Sequence, residues 1–495
     1  MARSVQRAIS LGLAVSILAS VAAGANPLIS PGDLSLRQDI QLLADRGIIE
    51  GPVTSWPLSW AAILSDIDRS EPDGKLSDQV TPALARVRAR AEREAQAGEL
   101  RFNARASAAE NPVRARSFAD TPRESGEIGA GLSWTGDRLS VTLNGQAVAS
   151  PDDGKNYRAD GSMLGVVFGN YTIAASTLDR WWGPGWDGSL ILSNNARPIP
   201  ALAIERNLTD AFDSQWLGWL GAWDLSVLFG QMENDRDVPE PRFFGMRFNF
   251  RPLPSLEIGL SRTAQWCGEG RPCGFDTFTD LLLGRDNRGD GGVDLDNEPG
   301  NQLAGVDLRW NASALGLPFA IYGQLIGEDE AGGFPSRHIG QAGIESSGTW
   351  MGRSYRLFGE YAATTCGFYK SDEIPNCAYN HAIYRTGYRY RGRTVGHGAD
   401  NDSSMLSAGI LLLETNGNSW SAILRRGELN RGGPADAENP LTATPQDILE
   451  LQVSHRRFFR YGQIEIGAGV ERIDDIADAQ RDTEGKVYLQ WRSSY

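Results

Sequence analysis

Residues Ile128–Gly145, IGAGLSWTGDRLSVTLNG, carry the pattern that decides the fold. Ile128, Ala130, Leu132 and Trp134 alternate with small or polar residues, the chain turns at Thr135-Gly136-Asp137, and Leu139, Val141 and Leu143 resume the alternation. A period of two belongs to a strand with one apolar face. Stretches of this kind, each of about 8 to 12 residues, recur to the end of the chain.

A soluble sandwich alternates in the same way, so the lengths of the connections must decide. Strands are expected near 100–107, 127–136, 138–150, 162–169, 171–177, 200–207, 222–233, 242–252, 256–266, 300–312, 318–329, 338–350, 354–365, 404–415, 419–429, 447–458, 461–471 and 485–495, about 18 in all. Long and short connections then alternate. The short ones are Thr135–Asp137, Gly169-Asn170, Leu253–Ser255, Ser313–Leu317, Met351–Arg353, Asn416–Asn418 and Arg460, and Leu208–Gly221 is the one misfit. Tight turns on one rim and long loops on the other are the asymmetry of transmembrane antiparallel β-barrels of the outer membrane. The last segment, GKVYLQWRSSY, places Val487, Leu489, Trp491 and Tyr495 on one face and Lys486, Gln490 and Arg492 on the other. A closing strand with an aromatic end is similar to the signal by which the barrel assembly machinery receives its substrates.

The residues ahead of the barrel have a different period. SPGDLSLRQDIQLLADRG reads as a helix with Ser30 as cap, Pro31 in the first turn, Leu36, Ile40 and Leu43 on one face and Gly47 as the stop. SWPLSWAAILSDI and SDQVTPALARVRARAEREAQAG read as two more, the last capped by Ser77 or Thr81. Residues 1–25, with Arg3, Arg7, an apolar run and small residues at Ala23 and Ala25, have the layout of a cleaved signal peptide. The expected organisation is therefore 1–25 signal peptide, 26–99 helical domain in the periplasm and 100–495 outer-membrane barrel with extracellular loops. No later stretch is long and apolar enough for a membrane helix, and the mean hydropathy is -0.33.

The four cysteines fall as two close pairs, Cys267 with Cys273 and Cys366 with Cys377, in turn-rich stretches of an exported chain. Short spacing in an oxidising compartment favours two local disulfides over zinc, because neither pair has the two-residue gap of a zinc knuckle and the chain has only four histidines. No metal and no cofactor is expected.

Two long polar and aromatic stretches fall in predicted extracellular loops: RWWGPGWDGSLILSNNARPIP, Arg180–Pro200, and CAYNHAIYRTGYRYRGRTVGHGADNDS, Cys377–Ser403. Together with LLADRGII and TSWPLSW of the helical region, they resemble the Wzi-type capsule assembly family, and the resemblance spans nearly the whole mature chain. It implies an outer-membrane barrel, a periplasmic helical bundle, a lumen closed by loops, and lectin-like attachment of capsular or exopolysaccharide at the cell surface.

The chemistry of these loops is compatible with sugar binding. Indoles stack on pyranose faces, so Trp181, Trp182 and Trp186 are candidate platforms, with Gly183 and Gly185 letting the backbone bend. Asp187, Asn194, Asn195, Tyr379, Asn380 and His381 offer hydrogen bonds to hydroxyls, and Arg197, Arg389, Arg391 and Arg393 can meet uronate carboxylates. The tryptophans and arginines among them also suit packing of the loops into the barrel mouth or lining of its lumen, and for any single residue packing is the favoured reading.

Enzyme readings have less support. No nucleophile elbow, phosphate loop or zinc spacing occurs, and none of the 62 acidic residues is singled out as a glycosidase pair. DNRGDGGVDLDNEPG, Asp286–Gly300, hints at calcium but departs from the helix-loop-helix pattern at Arg288 and Asn297. A net charge of -14 disfavours nucleic acid. Two functions stand: a non-enzymatic surface lectin, acting as a monomer in outer-membrane lipid, and a porin-like channel with Lys486, Gln490 and Arg492 facing water.

Overall fold

The computed structural model describes residues 28–70, 78–282, 300–331, 334–433 and 439–493. The expected signal peptide, Ser77, nearly all of the Asp286–Gly300 stretch and Tyr495 lie outside the described residues.

Eighteen long strands among the described residues form one closed antiparallel barrel. They are β1 (Leu100–Glu110), β2 (Gly126–Thr135), β3 (Leu139–Ala149), β4 (Met163–Phe168), β5 (Tyr171–Ser176), β6 (Ala201–Arg206), β7 (Ala222–Gln231), β8 (Arg242–Leu253) and β9 (Leu256–Trp266), followed by β10 (Gly300–Asn311), β11 (Phe319–Ala331), β12 (Phe334–Trp350), β13 (Arg353–Ala363), β14 (Ser404–Leu413), β15 (Ser419–Leu429), β16 (Gln446–Phe459), β17 (Gly462–Asp475) and β18 (Arg481–Arg492). Each pairs with its sequence neighbour, and β18 closes on β1 from Val487↔Glu110 to Arg492↔Arg105. Closure leaves no unpaired edge for lipid to meet.

The period of two sorts the side chains. Ile128, Leu143, Leu202, Leu260, Ile344, Leu424 and Val487 point outward and are exposed around the barrel. The alternate positions of the strands point into the lumen and are polar but buried, among them Arg247, Arg309, Glu345, Arg356, Arg425 and Glu450. Lys486 also points inward, where the channel reading has it facing water. It is buried instead, 2.9 Å from Glu471, while Arg492 pairs with Asp120 at 2.6 Å.

The lumen is filled from both ends. From the tight-turn rim comes a helical unit of α1 (Leu34–Asp45), α2 (Trp60–Arg69) and α3 (Val80–Ala95), joined through a core of Ile40, Leu43, Trp60, Ile63, Ala83 and Val87. The cap of α1 is Asp33, not Ser30. Gly32 takes a left-handed φ of 119°, which puts Ser30 and Pro31 outside the helix, and the Asp33 carboxylate accepts from the Ser35 and Leu36 amides at 3.0 and 3.3 Å. Helix α3 starts with Gln79 as cap, without a side-chain hydrogen bond, and Thr81 lies inside it.

The helical unit does not stand apart from the barrel. Helix α1 sits so deep in the barrel that Arg37, Gln38, Asp39 and Gln41 are buried. Barrel side chains hold the segment that follows it. Arg251 donates to the carbonyls of Ile49 and Ala44 at 2.9 and 3.1 Å, and Glu257 accepts from the Val53 and Thr54 amides at 3.0 and 2.9 Å. Arg309 pairs with Asp45 at 2.6 Å.

From the long-loop rim, the segment between β5 and β6 turns down into the lumen. Trp181 and Trp182 pair in antiparallel register with Trp56 and Ser55, joining this loop to the helical unit. The stretch expected as an open extracellular loop is therefore half of a plug.

Candidate functional site

The plug decides the fate of the three tryptophans. Trp181 and Trp182 are fully buried and Trp186 is 2% exposed, so none presents an open face to a sugar. Trp181 meets Phe118 edge to face at 5.3 Å, and Phe118 meets Trp56 at 5.2 Å. The Arg37 guanidinium lies 4.1 Å from the Trp186 ring centroid and that of Arg356 lies 5.0 Å from it, while the indole N–H donates to Glu345. A sugar platform needs a wet face, whereas these rings fill the space between α1 and the barrel wall.

The glycines of this stretch serve the same packing. A Cβ on Gly185 would lie 2.2 Å from the Gln341 amide nitrogen and from the Gly188 carbonyl, and one on Gly188 would lie 2.1 Å from the His397 ring.

The polar residues predicted to meet hydroxyls are occupied as well. Asp187 receives two hydrogen bonds from Arg425 at 2.6 and 2.9 Å, and Arg425 continues to Glu450 at 2.6 Å. Burial pushes the Asp187 carboxyl up, but the Arg425 charge outweighs it and holds the group below its ordinary range. Asn194 donates to the Phe118 carbonyl at 3.0 Å and Asn195 to that of Thr394 at 3.1 Å. Arg116, pulled down to about 9 by burial, donates to the Asn194 carbonyl at 2.6 Å. Arg197 forms a two-pronged contact with Asp160 at 2.8 Å on each arm. Trp181, Trp182, Trp186, Asp187, Asn194 and Asn195, expected at the sugar, are thus occupied in packing: Trp182, Trp186 and Asp187 hold the loop to the barrel wall, and Trp181, Asn194 and Asn195 hold it to neighbouring loops.

The Cys377–Ser403 stretch does meet the Arg180–Pro200 stretch. Tyr379 donates to the Leu190 carbonyl at 2.7 Å, Tyr388 to that of Ile191 at 2.8 Å, and Ser193 to that of Gly396 at 2.6 Å. Tyr379 and Tyr388 stack with centroids 6.0 Å apart. The two motifs thus make one buried interface instead of a cleft, and Tyr379 and Arg389 lie within it. Arg389 is held by Asp400 at 3.0 Å and by Asn380 at 2.9 Å. Burial drives the His397 imidazole down to about 4 against the pull of Asp187, so it packs neutral.

What remains at the solvent is the outer edge of this cap. Arg389–Tyr390 and Arg393–Thr394 form a two-stranded hairpin. Arg391 and Arg393 flank its tip half-buried, Arg391 with its guanidinium 5.3 Å from the Tyr390 ring centroid. Arg393 lies 3.5 Å from Asp152, an exposed carboxylate. Asn380 and His381 are half-buried on the preceding turn. Both expected disulfides form: Cys366–Cys377 spans 5.9 Å and Cys267–Cys273 4.5 Å between Cα atoms, the first at the base of this cap. No cluster of three or more metal-ligating side chains occurs among the described residues.

Sequence reasoning missed the luminal lattice that fixes the plug: Arg37, Arg247, Asp307, Glu345, Arg356, Glu360, Arg425 and Glu450. Glu360 takes the amides of Trp186 and Gly188 at 2.8 Å each. The available signal was charge at every second position of strands that have an apolar opposite face. Beside this lattice a cavity of about 710 Å³ runs along the β1–β3 wall, lined by Arg90, Arg101, Arg105, Asp120, Glu127 and Asn144.

Comparison with known proteins gives three findings. The family described as "Capsule assembly protein Wzi" matches residues 100–486. A 55.8 kDa protein of the cps region of Klebsiella pneumoniae is 35% identical over 346 residues, which are 69% of this chain and 66% of that protein's own length. A solved structure from Escherichia coli, described as Wzi, an outer-membrane carbohydrate-binding β-barrel involved in group 1 capsule assembly, superposes with a TM-score of 0.82 at 26% identity, over 94% of this chain and 99% of the other.

Proposed function

The chain belongs to the Wzi capsule assembly family and is an outer-membrane β-barrel, and from that premise we propose that it is a surface lectin that attaches or organises capsular or exopolysaccharide. The long-loop rim faces the medium, and the helical unit enters from the periplasm. The Arg389–Thr394 hairpin is the observation that carries the reading. It stands on a cap fixed by Cys366–Cys377 and by the Tyr379 and Tyr388 hydrogen bonds, and it holds Arg391 and Arg393 at its solvent edge. Arginine forks suit planar carboxylates, so the favoured ligand is a polymer that carries uronate or other acidic groups. Asn380 and His381 extend the edge toward uncharged hydroxyls.

In this reading the tryptophans act at one remove. They anchor the loops on which the arginines stand, and a rigid platform loses little conformational entropy when a flexible polymer is captured. The channel reading is opposed by the plug, because α1 and the Trp181–Trp186 loop meet inside the barrel.

The test is a glycan array with the purified barrel beside a planar-bilayer conductance measurement. Retention of acidic polymers, weakened several-fold in Arg391→Ala/Arg393→Ala, is the expected result. Steady conductance without glycan retention would replace the lectin by a channel.

A further inference from the structure

The barrel wall has a low sector. Strands β4, β5 and β6 have six residues each, whereas β7, β8 and β9 have 10, 12 and 11. At about 3.4 Å per residue and a tilt near 40°, six residues rise only about 15 Å, against an apolar band of roughly 25 Å.

The deficit beside β3 lies on the long-loop side. Strand β3 pairs with β4 only from Leu139 to Thr142, and beyond that its edge is met by loop residues: the Asn144 amide donates to Ser162 at 2.9 Å, Gln146 and Ala147 form a two-residue bridge, and the Val148 amide donates to the Asn156 carbonyl at 2.8 Å. Above the short strands the outer surface forms a notch of about 650 Å³. Its floor is apolar, from Leu143, Leu164, Ala175, Leu202 and Phe229. Arg242 stands at its upper edge, 5.1 Å over the Trp266 ring and without an ion-pair partner among the described residues.

We propose that this notch binds one membrane lipid, an acyl chain lying on Leu164, Ala175 and Leu202 with its phosphate at Arg242. The floor continues the lipid-facing surface of the barrel, so its occupant comes from the bilayer. A cation on the membrane side of a wall, at the height where strands give way to loops, has a lipid phosphate as its natural partner. An ordered chain in the notch would complete the apolar belt where the protein leaves it low.

The full-length protein would be placed in nanodiscs of phosphatidylglycerol doped with a phosphatidylglycerol bearing a diazirine on its acyl chain, irradiated, and mapped by mass spectrometry. The expected adducts concentrate on peptides containing residues 162–164 and 200–202. They fall several-fold in Ala175→Trp/Leu202→Trp and in Arg242→Glu, and are unchanged in Leu424→Trp on another lipid-facing strand. Even labelling around the barrel, or equal loss in Leu424→Trp, would reduce the lipid to ordinary annular contact and overturn the proposal. Heat-modifiable gel mobility reports folding. If the double variant fails to fold, the wild-type adduct map and Arg242→Glu still decide.

Discussion

The Arg37 guanidinium lies over the Trp186 ring, 4.1 Å from its centroid, a contact between the first helix of the plug and the loop that descends to meet it. The indole is thus a joint between two halves of the lumen filling.

Replacing Trp186 by alanine should weaken the barrel. Truncation of a buried tryptophan costs about 3 to 5 kcal/mol, and here it also removes the ring face on which the Arg37 and Arg356 guanidinium groups rest. The expected outcome is a lower temperature for loss of the folded band in heat-modifiable gels, with Trp186→Phe losing less. An unchanged midpoint, together with released polymer, would restore the direct sugar platform.

Asp187 and Arg425 should behave as a coupled pair. Removing one partner leaves a buried charge unmatched, which costs roughly 3 to 5 kcal/mol, so Asp187→Ala and Arg425→Met should each lower the urea midpoint more than simple truncation. Their double variant should recover part of that loss. Additive effects would mean that Glu450 alone balances the arginine.

Stability should fall with acid through His397. Its imidazole titrates at about 4 in the folded protein against 6.5 when free, so between these values the unfolded chain binds the additional proton. The contribution is fully present above about 6.5 and is lost as the pH approaches 4, to a total of roughly 3 kcal/mol. Asp39 acts in the opposite sense, since burial raises it to about 6. The informative quantity is therefore the difference between wild type and His397→Asn: chemical denaturation at pH 7 and pH 4.5 should show a shallower acid loss in the variant, and parallel losses would rule out this histidine as the source.

Opening Cys366–Cys377 should loosen the cap without dissolving the barrel. A short staple of this kind contributes about 2 to 3 kcal/mol to the segment that it closes. Cys366→Ser/Cys377→Ser should expose residues 367–403 to protease on intact cells, lower polymer retention, and keep heat-modifiable mobility. A protected loop in the variant would show that the tyrosine hydrogen bonds suffice.

The strands were legible because lipid and lumen impose opposite demands on alternate residues. IGAGLSWT and KVYLQW record that alternation directly, and even the six-residue β4 and β5 were placed to within a residue. The plug was not legible. RWWGPGW carries the same composition whether it lines a wet cleft or fills a dry lumen, and nothing local to Trp181 states that Trp56 is its partner. The cap of α1 was misplaced for a similar reason. Ser30 and Pro31 make a plausible helix start until the left-handed Gly32 moves that start to Asp33, whose carboxylate also accepts from Arg456, 423 residues away. Charges such as Glu345 and Arg425 could be seen to face inward, but their pairing belongs to the closed cylinder.

The register Trp181↔Trp56 and Trp182↔Ser55 lies inside a cylinder whose seam joins residues 105–110 to residues 487–492. The two segments enter the cylinder from opposite rims and are hydrogen-bonded to each other within it. A load on the long-loop cap is therefore carried down the middle of the barrel to the helical unit, as by a tie rod, and does not fall on the wall strands alone.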